Sequence, residues 1–289
     1  MRKGLGQLAL LLISISDPVL AQRSTGPANG TLIVDGGGTL PLVVERFVKL
    51  AGGVNARIVV IPTGASSLRF ESVNAPDKII LNPDWSRDRA EWKAYHAHVR
   101  KWFGVERIAF LHTRDRTVAD SDEFVKPLRD ASGVYLSTGN AGRHAQAYLG
   151  TRTQNELEAL LNRGGVIFGS SAGAIIQGSF IVRGRPDKPL LMAEGADRGF
   201  AFMKNVAVNP HLTSAKRDNE LVNVVDHRPE ILGIGIDDEA ALLVQGNKFE
   251  VIGTGRVAIY DNMRHESAWY YWLKPGERFD LGQWRKIFP

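Results

Sequence analysis

Residues 165–176, Gly-Val-Ile-Phe-Gly-Ser-Ser-Ala-Gly-Ala-Ile-Ile, constrain this chain more than any other stretch. A short apolar run meets a tight Gly-Ser-Ser-Ala-Gly turn and continues as an apolar, small-residue helix. A strand that passes into a helix at so sharp a corner holds a serine with its hydroxyl exposed. The next backbone N–H, that of Ala172, then opens the helix and points at whatever Ser171 attacks. A nucleophile and an oxyanion donor need that arrangement together. The same glycines would also serve a βα turn in which strand and helix merely pack closely, so the G-x-S-x-G match needs support from the rest of the chain.

The pattern around it is β and α in alternation. Residues 31–34, 57–61, 107–111, 134–136 and 166–168 are short apolar runs rich in β-branched side chains. Helical patterns separate them at 42–50, 86–103, 122–129, 143–149 and 154–161, with Thr153 and Glu156 spaced as a capping box for the last. Strands apolar along their whole length, with helices between them, predict a mostly parallel sheet covered on both faces. After residue 200 come a strand at 204–208, a helix at 216–225, and short apolar runs from 234 to 260 joined by Gln245-Gly246-Asn247 and Gly253-Thr254-Gly255. Those turns predict an antiparallel C-terminal meander. The stretch 63–87 has little periodicity and reads as a long loop over the site.

The N-terminus reads as a targeting segment. Met1-Arg2-Lys3 precedes an apolar run from Leu5 to Ile15 and a small-residue ending, Val19-Leu20-Ala21. Residues 1–21 are expected to be a signal peptide and 22–289 a single domain, secreted or periplasmic and not membrane-anchored after the signal is removed. The chain has no cysteine, so disulfides, a thiol nucleophile and Cys-bound metal are excluded. Dropping two cations (Arg2, Lys3) and one anion (Asp17) takes the formal charge from +5 to +4. That excess is spread rather than gathered in a tract, which argues against nucleic acid as a partner.

A serine hydroxyl needs a base, and an imidazole base needs an acid to orient it. Among seven histidines, His96, His98 and His112 fall on a helix or strand before the serine, His144 at a helix start, His227 at a helix end and His265 after the meander. His211 ends an apolar strand, where a parallel sheet gathers its ligand-binding side chains, and is the preferred base. Asp237, Asp238 and Glu239 follow another strand and supply the acid in the order Ser…His…acid. The order Ser…acid…His, familiar in α/β-hydrolases, would need Asp187, Glu194 or Asp197.

Three motifs in the same order, Gly169-Ser170-Ser171-Ala172-Gly173-Ala174, Asn209-Pro210-His211 and the run from Gly233 to Leu242, resemble those of the cyanophycinase family of serine peptidases. Asp35-Gly36-Gly37-Gly38 and Arg278-Phe279-Asp280-Leu281 resemble that family too. The resemblance implies a three-layer α/β/α fold like that of class I glutamine amidotransferases. It implies Ser171 as nucleophile, His211 as base and Asp238 at the position of the acid, where the family usually has glutamate and where Glu239 stays a rival. It also implies oxyanion donors at Ala172 and in the Thr138-Gly139-Asn140 turn, at Gly139. Substrate contacts are expected from Asn140, Arg143, Asn209 and Arg217. The chain departs from the family where Ala141 replaces a glutamine and Asn140 an aspartate, which puts cleavage of cyanophycin itself in question. The expectation is a peptidase for small aspartyl or isoaspartyl peptides, an exopeptidase or isopeptidase that uses neither metal nor organic cofactor. A homodimer is a further expectation from the resemblance. Two alternatives stay open: an esterase-like hydrolase with the other chain order, and an inactive binding protein on the same fold.

Overall fold

The computed structural model of the chain describes residues 24–65, 90–186 and 190–288. The expected signal peptide, most of the 63–87 loop and Asp187 lie outside the described residues. In chain order the elements are β1 (Thr31–Asp35), α1 (Pro41–Leu50), β2 (Arg57–Ile61), α2 (Ala90–Phe103), β3 (Arg107–Phe110), α3 (Arg116–Ala119), α4 (Asp122–Arg129) and β4 (Gly133–Leu136). There follow α5 (Ala141–Tyr148), α6 (Arg152–Asn162), β5 (Val166–Ser170), α7 (Ala172–Ile175), β6 (Gly178–Phe180), β7 (Met203–Pro210), α8 (Asp218–His227) and β8 (Leu232–Ile236). The C-terminal part is all strand: β9 (Ala240–Gln245), β10 (Lys248–Gly253), β11 (Val257–Tyr260), β12 (Tyr271–Leu273), β13 (Arg278–Asp280) and β14 (Arg285–Ile287).

A nine-stranded sheet in the order β14-β13-β10-β9-β1-β5-β4-β2-β3 forms the centre. From β1 to β3 every neighbouring pair is parallel, and from β1 to β14 every pair is antiparallel. Both faces of its parallel part are covered, which is why the central residues of those strands are apolar in both directions. On one face Ile33, Val60, Tyr135 and Phe168 pack against Val43 and Phe47 of α1 and Val99 and Phe103 of α2. On the other, Leu32, Val34, Val59, Leu136 and Ile167 meet side chains of α4 to α7 and of a second sheet. The architecture is therefore mixed α/β with a largely parallel central sheet and helices on both sides.

The second sheet, β12-β11-β8-β7-β6, was not visible in the sequence pattern. The expected meander is split between the two sheets. The β9–β10 hairpin joins the central sheet beside β1, whereas β8 lies parallel to β7 and antiparallel to β11. Helix α8 covers the outer face of this second sheet through Leu221, Val224 and Val225. The proposed capping box is also absent. Helix α6 begins two residues earlier, with Thr151 as its N-cap, and the buried Thr153 hydroxyl donates instead to Ala119 O at 2.7 Å.

The layering brings strand ends together. Asp35 of β1 pairs with Ser170 of β5 in parallel register, and Pro210 of β7 with Ile236 of β8. Because β9 returns antiparallel to β1, the chain crosses from the second sheet to the central one through residues 237–239. The core between the central sheet and helices α1 and α2 includes Phe168, fully buried, with ring centroids 5.3 Å from Phe47 and 4.9 Å from Tyr135. Phe168→Ala should lower the unfolding free energy in urea by about 3–5 kcal/mol. A loss below about 1 kcal/mol would show that this cluster does not carry the inter-layer packing.

Candidate active site

Ser171 stands between the last residue of β5 and the first of α7, at φ 52° and ψ −106°. A non-glycine residue held there stores on the order of 1–3 kcal/mol, so its surroundings must fix it. They do so through the backbone. The Ser171 N–H donates to Asp35 O at 3.0 Å, and its carbonyl accepts from the N–H groups of Ala174 and Ile175, both at 3.0 Å. Gly173 lets α7 approach β4, since a Cβ there would lie 2.0 Å from Leu136 O. The glycines of the turn thus serve close packing, and the same packing presents the serine.

The second sheet supplies what faces it. The Ser171 Oγ lies 2.9 Å from His211 Nε2, and His211 Nδ1 lies 2.6 Å from Asp238 Oδ1. An ionised carboxylate can only accept, so the ring proton sits on Nδ1 and the Nε2 lone pair faces the serine hydroxyl. The other Asp238 oxygen accepts from the Ser214 hydroxyl. His211, at φ 55°, donates its own N–H to Gly36 O at 3.1 Å. Its ring lies against Gly37, where a Cβ would fall 2.1 Å from His211 Cε1 and 2.7 Å from Asp238 Oδ1.

The neighbouring acids are occupied elsewhere. Asp237 Oδ1 accepts from the Thr213 N–H at 3.1 Å and from its hydroxyl, bracing the turn after His211. Glu239 Oε2 accepts from Thr254 Oγ1 at 2.7 Å. Of the acids required by the alternative order, Asp197 faces Arg228 at 3.8 Å and Glu194 is exposed. Among the other described histidines, His227 bonds to Asn223 O, His265 to Asp261 and His112 to Thr63 Oγ1.

The N–H groups of Ala172 and Gly139 make no hydrogen bond among the described residues, whereas the Asn140 N–H donates to Gly64 O at 2.8 Å. Both free donors belong to turns at the same sheet edge, since Leu136 of β4 is the register partner of Gly169 of β5. The four residues expected to contact substrate are engaged with the protein itself. Asn140 caps α5 through Gly142 N and donates to Arg185 O at 2.9 Å. Arg143 donates to Gly64 O at 3.1 Å, Arg217 to Pro210 O at 3.2 Å, and the buried Asn209 to Glu220 at 3.2 Å. They brace the two turns that carry Gly139 and His211.

A cavity of about 810 Å³ opens in front of Ser171, walled by Tyr95, His98, Val99 and Trp102 of α2, by Tyr135, and by Ser137 and Thr138. No sequence pattern marked this aromatic wall. His144, expected only to sit at a helix start, is fully buried, and its Nε2–H donates to Ser137 O at 3.2 Å, holding the turn beside the cavity. Burial pushes both His144 and His112 down to about 4. Asp35, fully buried at the end of β1, carries a carboxyl pushed upward by burial, against hydrogen bonds from Ser170 and Thr39. An acid directly after the apolar run Leu32-Ile33-Val34 was the only sign of it in the sequence. Among the described residues no group of three metal-binding side chains is gathered, and no helix is long and apolar enough to cross a membrane.

The family model described as peptidase family S51 matches residues 31–252, a span that contains Ser171, His211 and Asp238. A cyanophycinase of Geminocystis herdmanii is 24% identical over 223 residues, covering 76% of this chain and 74% of its own length. One from Nostoc sp. is 29% identical over 192 residues and 63% of each, so this chain spans less than two thirds of that relative. Among solved structures, a peptidase from an acI-B1 Actinobacterium superposes with a TM-score of 0.64 at 22% identity, over 88% of this chain and 98% of that one. A putative peptidase E protein from Listeria monocytogenes gives 0.51 at 16%, over 78% and 98%. At these identities the two structures show the fold.

The buried histidines give a pH test. A histidine whose folded pKa lies below its unfolded value stabilises the fold above about pH 6.5, and the stability is lost as pH falls from there toward 4. For His144 the loss is on the order of 3 kcal/mol below pH 4, from a shift of 6.5 to about 4. Thermal unfolding should therefore move to lower temperature between pH 6.5 and 4, and His144→Gln should flatten that dependence. An unchanged slope in the variant would show that His144 is not held neutral.

Proposed function

The chain belongs to peptidase family S51 and is a serine-type peptidase, and from that premise we propose that Ser171, His211 and Asp238 form its catalytic triad. One observation carries the assignment: the unbroken chain of hydrogen bonds, 2.9 Å from serine to imidazole and 2.6 Å from imidazole to carboxylate. Ser171 Oγ attacks the scissile carbonyl while His211 Nε2 takes its proton. The developing oxyanion is received by the N–H groups of Ala172 and Gly139, which have no partner among the described residues. His211 then passes the proton to the leaving amine, leaving an acyl-enzyme on Ser171. A water molecule, deprotonated by the same imidazole, releases the acid and restores the serine. Asp238 keeps the Nδ1 proton in place and stabilises the imidazolium formed at each step.

The substrate we assign is a small peptide with an aspartyl or isoaspartyl residue at the scissile bond, cleaved in exopeptidase or isopeptidase fashion. Support comes from the relatives named cyanophycinases and from Arg143 and Arg217 beside the two site turns. Cyanophycin itself is outside the assignment. Residues 1–21 are assigned to an export signal, which places the mature enzyme outside the cytoplasm, and its N-terminal sequence should begin at Gln22.

Ser171→Ala should abolish covalent labelling by a fluorophosphonate and turnover of a panel of isoaspartyl and N-terminal aspartyl peptides. Asp238→Asn should leave labelling detectable but slow it by about 10³–10⁴-fold, because the wrong imidazole tautomer then faces Ser171. Glu239→Gln should stay within about threefold of the parent, as its carboxylate serves Thr254. Labelling that survives in Ser171→Ala would remove the serine from its role. Labelling without turnover on any member of the panel would remove the aspartyl assignment.

A further inference from the structure

The buried carboxyl of Asp35 takes no part in the reaction described above, yet it ties the residue before the nucleophile to the segment that leaves β1. Its Oδ2 accepts from Ser170 Oγ and from Thr39 Oγ1, each at 2.6 Å. Ser170 immediately precedes the nucleophile, and Thr39 ends the Gly36-Gly37-Gly38 segment that leaves β1. The Asp35 backbone carbonyl accepts the Ser171 N–H, Gly36 O accepts the His211 N–H, and Gly37 O accepts the Glu239 N–H at 2.7 Å. The backbone from Asp35 to Gly37 thus forms a strap that touches the segments bearing all three triad members, and the Asp35 carboxyl ties it to Thr39 and Ser170.

This carboxyl is expensive to keep. It is fully buried, and Oδ1 has no hydrogen-bond partner among the described residues. A buried polar atom left unpaired destabilises a fold, and an apolar residue at the end of an otherwise apolar strand would avoid the penalty. The penalty is understandable if the geometry it imposes serves the reaction. Resting on Ser171 as nucleophile, we propose that Asp35 is a positioning residue, whose carboxyl clamps Ser170 to Thr39 and so holds Ser171 and the glycine strap at attacking distance from His211. Burial raises its pKa, but the clamp works in either protonation state, since a neutral carboxyl still accepts through its carbonyl oxygen.

The test reads the rate constant and the affinity separately, with a fluorophosphonate as probe. Asp35→Ala should lower the maximal labelling rate by about 10²-fold, the penalty for misplacing a reacting group by about an ångström, with the probe's half-saturating concentration within about twofold. Asp35→Asn keeps an acceptor oxygen for the hydroxyls and should recover to within about fivefold of the parent. A merely structural residue would lower Tm and leave the labelling rate of the folded protein unchanged, which would overturn the proposal. So would Asp35→Asn failing to improve on Asp35→Ala. If Asp35→Ala does not fold, Thr39→Val and Ser170→Ala each remove one donor, and a parental rate in both would overturn it as well. Labelling that persists in Ser171→Ala would instead bring down the triad assignment, so the two failures are distinguishable.

Discussion

The contact on which the rest depends is that between the His211 imidazole and the backbone of Gly37. No side chain can stand between them, because a Cβ at Gly37 would lie 2.1 Å from the ring. That closeness sets how near β1 can come to the turn after β7, and therefore how near the central sheet can come to the second sheet. Ser171 belongs to the first and His211 to the second. Asp238 lies on the segment that passes between them. Three side chains distant in sequence reach hydrogen-bonding distance because two sheets end at a shared edge, where one strand departs as bare backbone.

The same principle explains the distribution of polar groups. At the site ends of β1, β5 and β7 apolar runs give way to Asp35, Ser170 and Asn209, all buried and hydrogen-bonded to neighbours. Polar atoms buried in this way hold geometry only if they are satisfied, and most are. Asn209 is held by Glu220, which is paired with Arg183, and Asn140 caps the helix that carries His144. These groups keep the backbone rigid where the chemistry is assigned, while Tyr95 and Trp102 of α2 and Tyr135 of β4 form one wall of the cavity in front.

Much of this was legible in the residues. Apolar strands alternating with helices mean a parallel sheet because only a doubly covered strand has no polar face. Ser171 was legible because a strand, a tight turn and a small-residue helix leave one serine at the corner. His211 was legible as a strand-end histidine. The second sheet was not, because the runs from 240 to 260 are joined by hairpin-like turns, and local pattern cannot tell a hairpin partner from β1, some two hundred residues away. Strands β12 to β14 have three residues each, too few for a period to show. Which of Asp238 and Glu239 faces His211 was hidden because adjacent side chains diverge by an angle that depends on local backbone, here a positive φ at Glu239. His144 looked like an ordinary helix residue, since its partner is a backbone carbonyl and leaves no trace in composition.

The most direct measurement is a crystal structure of the protein after reaction with a fluorophosphonate. The account predicts phosphorus bonded to Ser171 Oγ, one phosphoryl oxygen within about 3 Å of the N–H groups of Ala172 and Gly139, and His211 still bonded to Asp238. Phosphorus on another residue, or a phosphoryl oxygen turned away from those two N–H groups, would contradict it.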